Sequence, residues 1–175
     1  MINTLYRLFL AFNATLLIVV VYLINKKYTL NILESYPSYI SGIIFVIVPI
    51  ALTWMSFGIL QYLSDDNILR ENILEIELAN NSFLPTYLGY FFVSLGILDC
   101  QILIFVFTII YIFTFLSQTL YFNPIFLLFG YHFYFLTNSN NAKIFLITKK
   151  KLKTPRDYDF NRLKRINDYT FIDRE

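Results

Sequence analysis

Residues 83–122 read FLPTYLGYFFVSLGILDCQILIFVFTIIYIFTFLSQTLYF, forty residues with one charge, Asp99. As a single helix this block would be about 60 Å long, twice the roughly 30 Å hydrocarbon core of a bilayer. It must therefore break, and Asp99 marks the place. A charge at the bilayer centre costs on the order of 3 kcal/mol, and a turn at that residue removes the cost. The block predicts two membrane helices, about 84–98 and 102–121, with Asp99, Cys100 and Gln101 between them. Pro85 suits a first helical turn, where its missing N–H leaves no bond unmade. The 84–98 span is short, and calls for an earlier start or a locally thinned bilayer.

The same pattern extends upstream. Residues 35–64 carry no charge, and neither do residues 8–24. They predict two further spans, about 39–63 and 5–24. Pro49 should kink the second, and Arg7 should snorkel to the interface at the start of the first. Tyr6 and Tyr22 fall near its two ends, where amphipathic rings are favoured. The N-terminal run lacks a small-x-small cleavage pattern and reads as a retained helix, not a removed signal peptide. Across the 175 residues, 57% are hydrophobic and 15% charged, against roughly 25% charged in an ordinary globular domain. This argues against a soluble enzyme. One cysteine, Cys100, excludes a disulfide within the chain.

The charges gather in two places. Residues 64–82 hold Asp65, Asp66, Glu71, Glu75 and Glu77 against Arg70. Leu69, Ile73 and Ile76 fall at i, i+4 and i+7, and Asp66 and Arg70 at i, i+4. That spacing predicts a short acidic amphipathic helix. It reads either as a solvated linker or as a docking surface for a soluble protein. Downstream, residues 125–136 are apolar but too short to span, and Tyr131–Leu136 is aromatic and β-prone. Asn138–Asn141 is a turn cluster, and a hairpin of Tyr131–Thr137 with Lys143–Thr148 is expected. A basic run follows, with Lys149, Lys150, Lys151 and Lys153 and no acid between Lys143 and Arg156. It reads as a headgroup-facing segment or as a contact for an acidic partner or nucleic acid. Residues 120–136 taken as a fifth helix would carry the tail to the other side of the membrane.

The expected fold class is thus an α-helical integral membrane protein: four transmembrane helices within 1–122, an acidic cytoplasmic loop at 64–82, and a small cytoplasmic C-terminal region, 123–175, containing a β-hairpin. With four spans, twelve of the fourteen Lys and Arg residues lie on one side and only Lys26 and Lys27 on the other. Both termini are therefore expected in the cytoplasm. A three-span count gives the same ratio, so charge places the tail and helix length chooses four.

No catalytic pattern accompanies this. His132 and Cys100 lie on opposite sides of the fourth predicted span and cannot form one site. His132 reads as a packed hairpin residue. Neither a phosphate-binding loop nor a nucleophile elbow occurs. No enzyme activity and no cofactor are expected. Asp99, as a turn residue, is not the buried charge that a transporter uses.

Four runs carry a family likeness: Glu77–Tyr90, Phe122-Asn123-Pro124, Leu127–Tyr134 and Leu146–Lys150. With the order of spans, they resemble the membrane subunit of the Kiwa anti-phage defence system. The resemblance implies a bacterial inner-membrane protein that assembles as an oligomer, a tetramer being compatible. It also implies a cytoplasmic companion subunit that binds DNA and restrains phage replication or late transcription, so that DNA is reached only through the companion. No family site residue carries over. The expected companion contacts are Glu71, Glu75, Glu77, Tyr131 and Tyr134. The expected contacts with the membrane surface or an acidic partner are Lys149, Lys150, Lys151 and Lys153. The function expected is a membrane sensor and anchor; the alternative is a pore-forming, holin-like or channel-like effector.

Overall fold

The computed structural model describes residues 2–68, 73–82, 84–117, 123–154 and 160–174. Four apolar helices form: α1 (Ile2–Asn25), α2 (Ser38–Ile59), α3 (Leu84–Gly96) and α4 (Cys100–Ser117). Among the described residues three are long and apolar enough to cross a membrane: α1, α2 with its 3₁₀ extension to Tyr62, and α4. At 13 residues, α3 is about 20 Å long, short of a full crossing of the hydrocarbon core. The break at Asp99 has a local cause. The Ile102 N–H donates to Asp99 Oδ1 at 2.9 Å, so the carboxylate caps the first turn of α4. The two helices run antiparallel, with Tyr90 Oη 3.2 Å from Thr114 Oγ1 and Ile97 clustered with Leu103.

The chain divides into two compact units. One comprises Leu8–Met55 and Phe83–Asn123, the other Met1–Arg7, Ser56–Ser82 and Pro124–Glu175. In the helical unit α1 is the inner element. Ile18 and Tyr22 cluster with Ile97 and Leu103, and Ser94 Oγ donates to the Ile18 carbonyl at 2.7 Å. Several buried polar side chains of this unit bond to one another, which offsets the cost of their burial, while Asn13 Oδ1 has no partner among the described residues. Thr53 Oγ1 donates to the Pro49 carbonyl at 2.8 Å. It accepts from Asn13 Nδ2 at 2.7 Å and Asn123 Nδ2 at 3.2 Å.

Among its described residues the second unit holds six strands: β1 (Asp65–Ile68), β2 (Ile73–Leu78), β3 (His132–Asn138), β4 (Lys143–Thr148), β5 (Phe160–Arg165) and β6 (Thr170–Asp173). Their order is β1-β5-β6-β4-β3-β2. Only the β4–β6 pair is parallel among these neighbours. The expected hairpin is present as β3 and β4, joined through Asn138, whose Oδ1 accepts from the N–H groups of Asn140 and Ala142. A single helical turn, α5 (Ile125–Leu128), precedes it, so 125–136 is not one long helix.

The described residues of the acidic segment are not helical. Asp65–Ile68 and Ile73–Leu78 are strands; Leu69 and Arg70 lie outside the described residues. The helical spacing of Ile73 and Ile76 has another origin. Ile73 pairs with Asn138 and Ile76 with Leu136, with a bulge between Ile73 and Glu75. The extra residue turns two positions three apart onto the same face. A bulged strand thereby imitates the period of a helix.

The sheet is strongly curled. β1 and β2 stand at opposite ends of the order, five strand spacings apart, or about 24 Å if flat. Only residues 69–72 separate them, a stretch that reaches about 18 Å at most. Its concave side encloses Ile73, Tyr134, Leu136, Leu146, Phe160, Leu163 and Phe171, joined by Ile68 from β1 and Ile76 from β2. The opposite face buries Phe133, Ile147 and Ile172. There Phe126 meets Phe133 at a centroid distance of 6.3 Å, and Phe57 stacks on Tyr131 at 4.9 Å.

Candidate functional site

The acidic residues now have an address. Glu75 and Glu77 sit on β2, opposite Thr137 and Phe135 of β3, and both are exposed. Among the described residues β2 pairs with β3 alone. It is an end strand with backbone groups open on one side, and its charges are a normal guard against unwanted pairing. Glu77 pairs with Lys143 at 3.3 Å, but both side chains are more than half exposed. Such a pair contributes about 0–1 kcal/mol and weakens with salt. Glu71 lies outside the described residues.

The basic run leads from β4 toward β5, and its anchor is one apolar residue. Leu152 is buried in the concave core, and its N–H donates to Tyr134 Oη at 3.1 Å. Alternation follows from this anchor: Lys151 and Lys153 flank Leu152 and are exposed. Lys149 and Lys150 are engaged within the unit. Lys149 Nζ lies 5.0 Å from the Tyr131 ring centroid, within cation–π range. Lys150 Nζ is 3.4 Å from Asp173 Oδ2 and 5.7 Å from the Phe160 ring centroid. Lys150 is thus the half-buried member of the four, and Lys149, Lys151 and Lys153 are exposed.

Tyr131 and Tyr134 are both buried. Tyr131 packs between Phe57 and Phe126; burial, with a smaller push from the Asp173 carboxylate, raises its hydroxyl above the ordinary value. Tyr134 serves the concave core and the Leu152 N–H. Replacing Tyr134 with Phe keeps the ring and orphans that buried N–H. The expected loss is about 1–3 kcal/mol, read as a lower urea midpoint with new tryptic cleavage at Lys151 and Lys153. His132 opens β3, with Nδ1 3.1 Å from Asn80 Nδ2, and Asn80 Oδ1 accepts from the Phe133 N–H.

Two ionic residues escaped the sequence reading. Lys164 is buried, yet its ammonium has oxygen partners: the Leu63 carbonyl at 3.0 Å, the Gln61 carbonyl at 3.5 Å and Asp65 Oδ1 at 2.6 Å. It ties β5 to the segment between α2 and β1. Asp173, also buried, accepts from Thr148 Oγ1 at 2.9 Å beside Lys150. No local spacing signals either residue, because pairing distant in sequence supplies their partners.

The sheet unit thus carries exposed acids on an end strand and exposed lysines after β4. Among the described residues no group of three or more His, Cys, Asp or Glu side chains is placed to hold a metal ion. Residues 6–172 match the family model described as anti-phage protein KwaA. No curated protein and no solved structure matches the chain. A match over nearly the whole length is decisive, and the chain belongs to the KwaA family of anti-phage proteins.

Proposed function

We propose that this chain is the non-enzymatic membrane subunit of an anti-phage complex, a sensor and anchor in the bacterial inner membrane. It recruits a cytoplasmic DNA-binding companion and touches DNA only through it. The observation that carries this reading is the acidic end strand, with Glu75 and Glu77 exposed on β2, in a chain whose helices are apolar enough to cross a membrane. A soluble partner with a basic surface fits that strand; Glu71 belongs to the same acidic run. The exposed Lys151 and Lys153 suit anionic headgroups, each worth about 1 kcal/mol close to the membrane.

In this reading α3 and α4 form a membrane hairpin, with α3 crossing a locally thinned bilayer. Both termini then face the cytoplasm with twelve of the fourteen Lys and Arg residues. The weakly buried surface of α4, 6% of its apolar window, is available to lipid and to neighbouring copies in a homo-oligomer. The paired polar groups around Thr53 support a packed bundle over a wet pore.

The test is co-purification of the full chain in mild detergent with the product of the adjacent gene. Glu75→Lys with Glu77→Lys is expected to lower recovery tenfold or more, on the order of the cost of opposing like charges across an interface. Unchanged recovery removes the acidic strand as the contact. Reporter fusions after Asn25 and Glu175 test the topology, and an external signal at Glu175 overturns it. Rapid depolarisation on expression of the chain alone selects the pore-forming alternative.

A further inference from the structure

The end of α1 carries an anomaly. The Tyr28 N–H donates to the Leu23 carbonyl and the Lys27 N–H to the Ile24 carbonyl, both at 3.0 Å. This is the reciprocal bonding that closes a helix through a left-handed residue, a position normally given to glycine. Here it holds Lys27, at φ 54°. A side chain in that conformation is strained where glycine is not, and strain retained at one position points to a use for the side chain.

Lys27 lines a groove of about 520 Å³ with Tyr28, Tyr39, Ile43, Val46 and Ile47, among others. That volume lies within the usual range for small-molecule sites. Tyr39, Ile43, Val46 and Ile47 fall at i, i+4, i+7 and i+8 of α2, one stripe starting in its first turn. The stripe is about 12 Å long, close to the depth of one leaflet in a hydrocarbon core of roughly 30 Å. Its four side chains are exposed or nearly so, Tyr39 at 66% and Ile43 at 55%. The groove thus has the dimensions of one acyl chain, with a cation and two tyrosines contributed from the helix ends, where interfacial rings and snorkelling lysines belong.

We propose that this groove is a binding site for one anionic phospholipid, an acyl chain lying along the α2 stripe and its phosphate meeting Lys27. The lipid gives the cation its partner and explains why the strained position is not glycine. The site rests on the membrane placement proposed above, which fractionation checks separately.

The test uses the full chain in mild detergent with added phosphatidylglycerol or phosphatidylcholine. For the unmodified chain, phosphatidylglycerol is expected to raise Tm more than phosphatidylcholine. Lys27→Gly removes both the strain and the charge. Its Tm in phosphatidylcholine should be unchanged or higher by about 2–4 °C. Retained phosphatidylglycerol should fall about fivefold, the weight of one cation at an anionic surface. Val46→Phe fills the groove and should lose retention with Lys27 in place. Both variants should fractionate with membranes; if they do not, the membrane placement fails and not the site alone. Equal shifts with the two lipids, or unchanged retention in both variants, overturn the site. Efficient disulfide formation between copies through Ile43→Cys in a Cys100→Ser background places a second copy in the groove and also overturns it.

Discussion

Replacing Phe126 with alanine is expected to unfold much of the sheet unit while leaving the apolar helices folded. Phe126 is fully buried, held in the single turn of α5. Its ring lies 5.4 Å from that of Phe57, 5.9 Å from Tyr131 and 6.3 Å from Phe133. It joins the end of α2 to the convex face of the sheet within this unit. Truncating a buried Phe costs about 3–5 kcal/mol, because apolar transfer is lost and a cavity remains. Against a total of roughly 5–15 kcal/mol for a domain, that is a large share. The measurement is tryptic cleavage of the full chain in detergent across a urea series, scored at Lys143–Lys153 and Lys164–Arg174. The variant should be cut at clearly lower urea. Leu128 is on the same turn and 71% exposed, so Leu128→Ala should shift the midpoint by no more than about 0.5 kcal/mol. Equal shifts in the two variants would show that the aromatic layer does not hold the unit together.

The physics of the chain explains which elements its sequence reveals. The apolar runs and the Asp99 break are local, and charge-free length is sufficient to find them. The β3–β4 hairpin is also local, because an aromatic run, an asparagine-rich turn and a β-branched run follow one another. The rest of the sheet is assembled from afar. β1 and β2 come from between α2 and α3, and β6 lies parallel to β4 with β5 on its far side. Short-range patterns carry no trace of such pairing. The bulge after Ile73 then supplied a misleading three-residue spacing. The candidate site follows the same rule. Glu75 and Glu77 are legible as charge, but their place on an end strand is not. Tyr131 and Tyr134 look like a recognition surface because aromatics serve interfaces and cores equally well. Their burial here depends on Phe57, Phe126 and Leu152, which arrive from other segments.

The second large effect is expected at Asp173. Its carboxylate is 4% exposed, against 23% for the paired Lys150 side chain, and it accepts from Thr148 Oγ1. The group sits where β6 runs parallel to β4, so it bonds two strands and the first residues of the basic run at once. Asp173→Ala takes the acceptor from the Thr148 O–H, whose oxygen keeps only the Lys150 N–H, and removes a carboxylate from a half-buried ammonium. Breaking a fully buried pair costs about 3–5 kcal/mol. With Lys150 partly solvated, about 2–4 kcal/mol is the appropriate expectation. The same urea and trypsin series reads it. A second variant separates charge from packing. Lys150→Met with Asp173→Leu replaces the ammonium and the carboxylate with apolar volume, which is often neutral or stabilising, and keeps Thr148 Oγ1 as the acceptor of the Lys150 N–H. The combined variant should recover to within about 1 kcal/mol of the original chain. If it is instead as unstable as Asp173→Ala, the ionic contact is not what the sheet loses, and the packing of the β4–β6 seam is the cause. Salt gives an independent check. The exposed Glu77–Lys143 pair should lose its small contribution by 1 M ionic strength, where the Debye length is about 3 Å, while the buried Asp173 contact should keep most of its own.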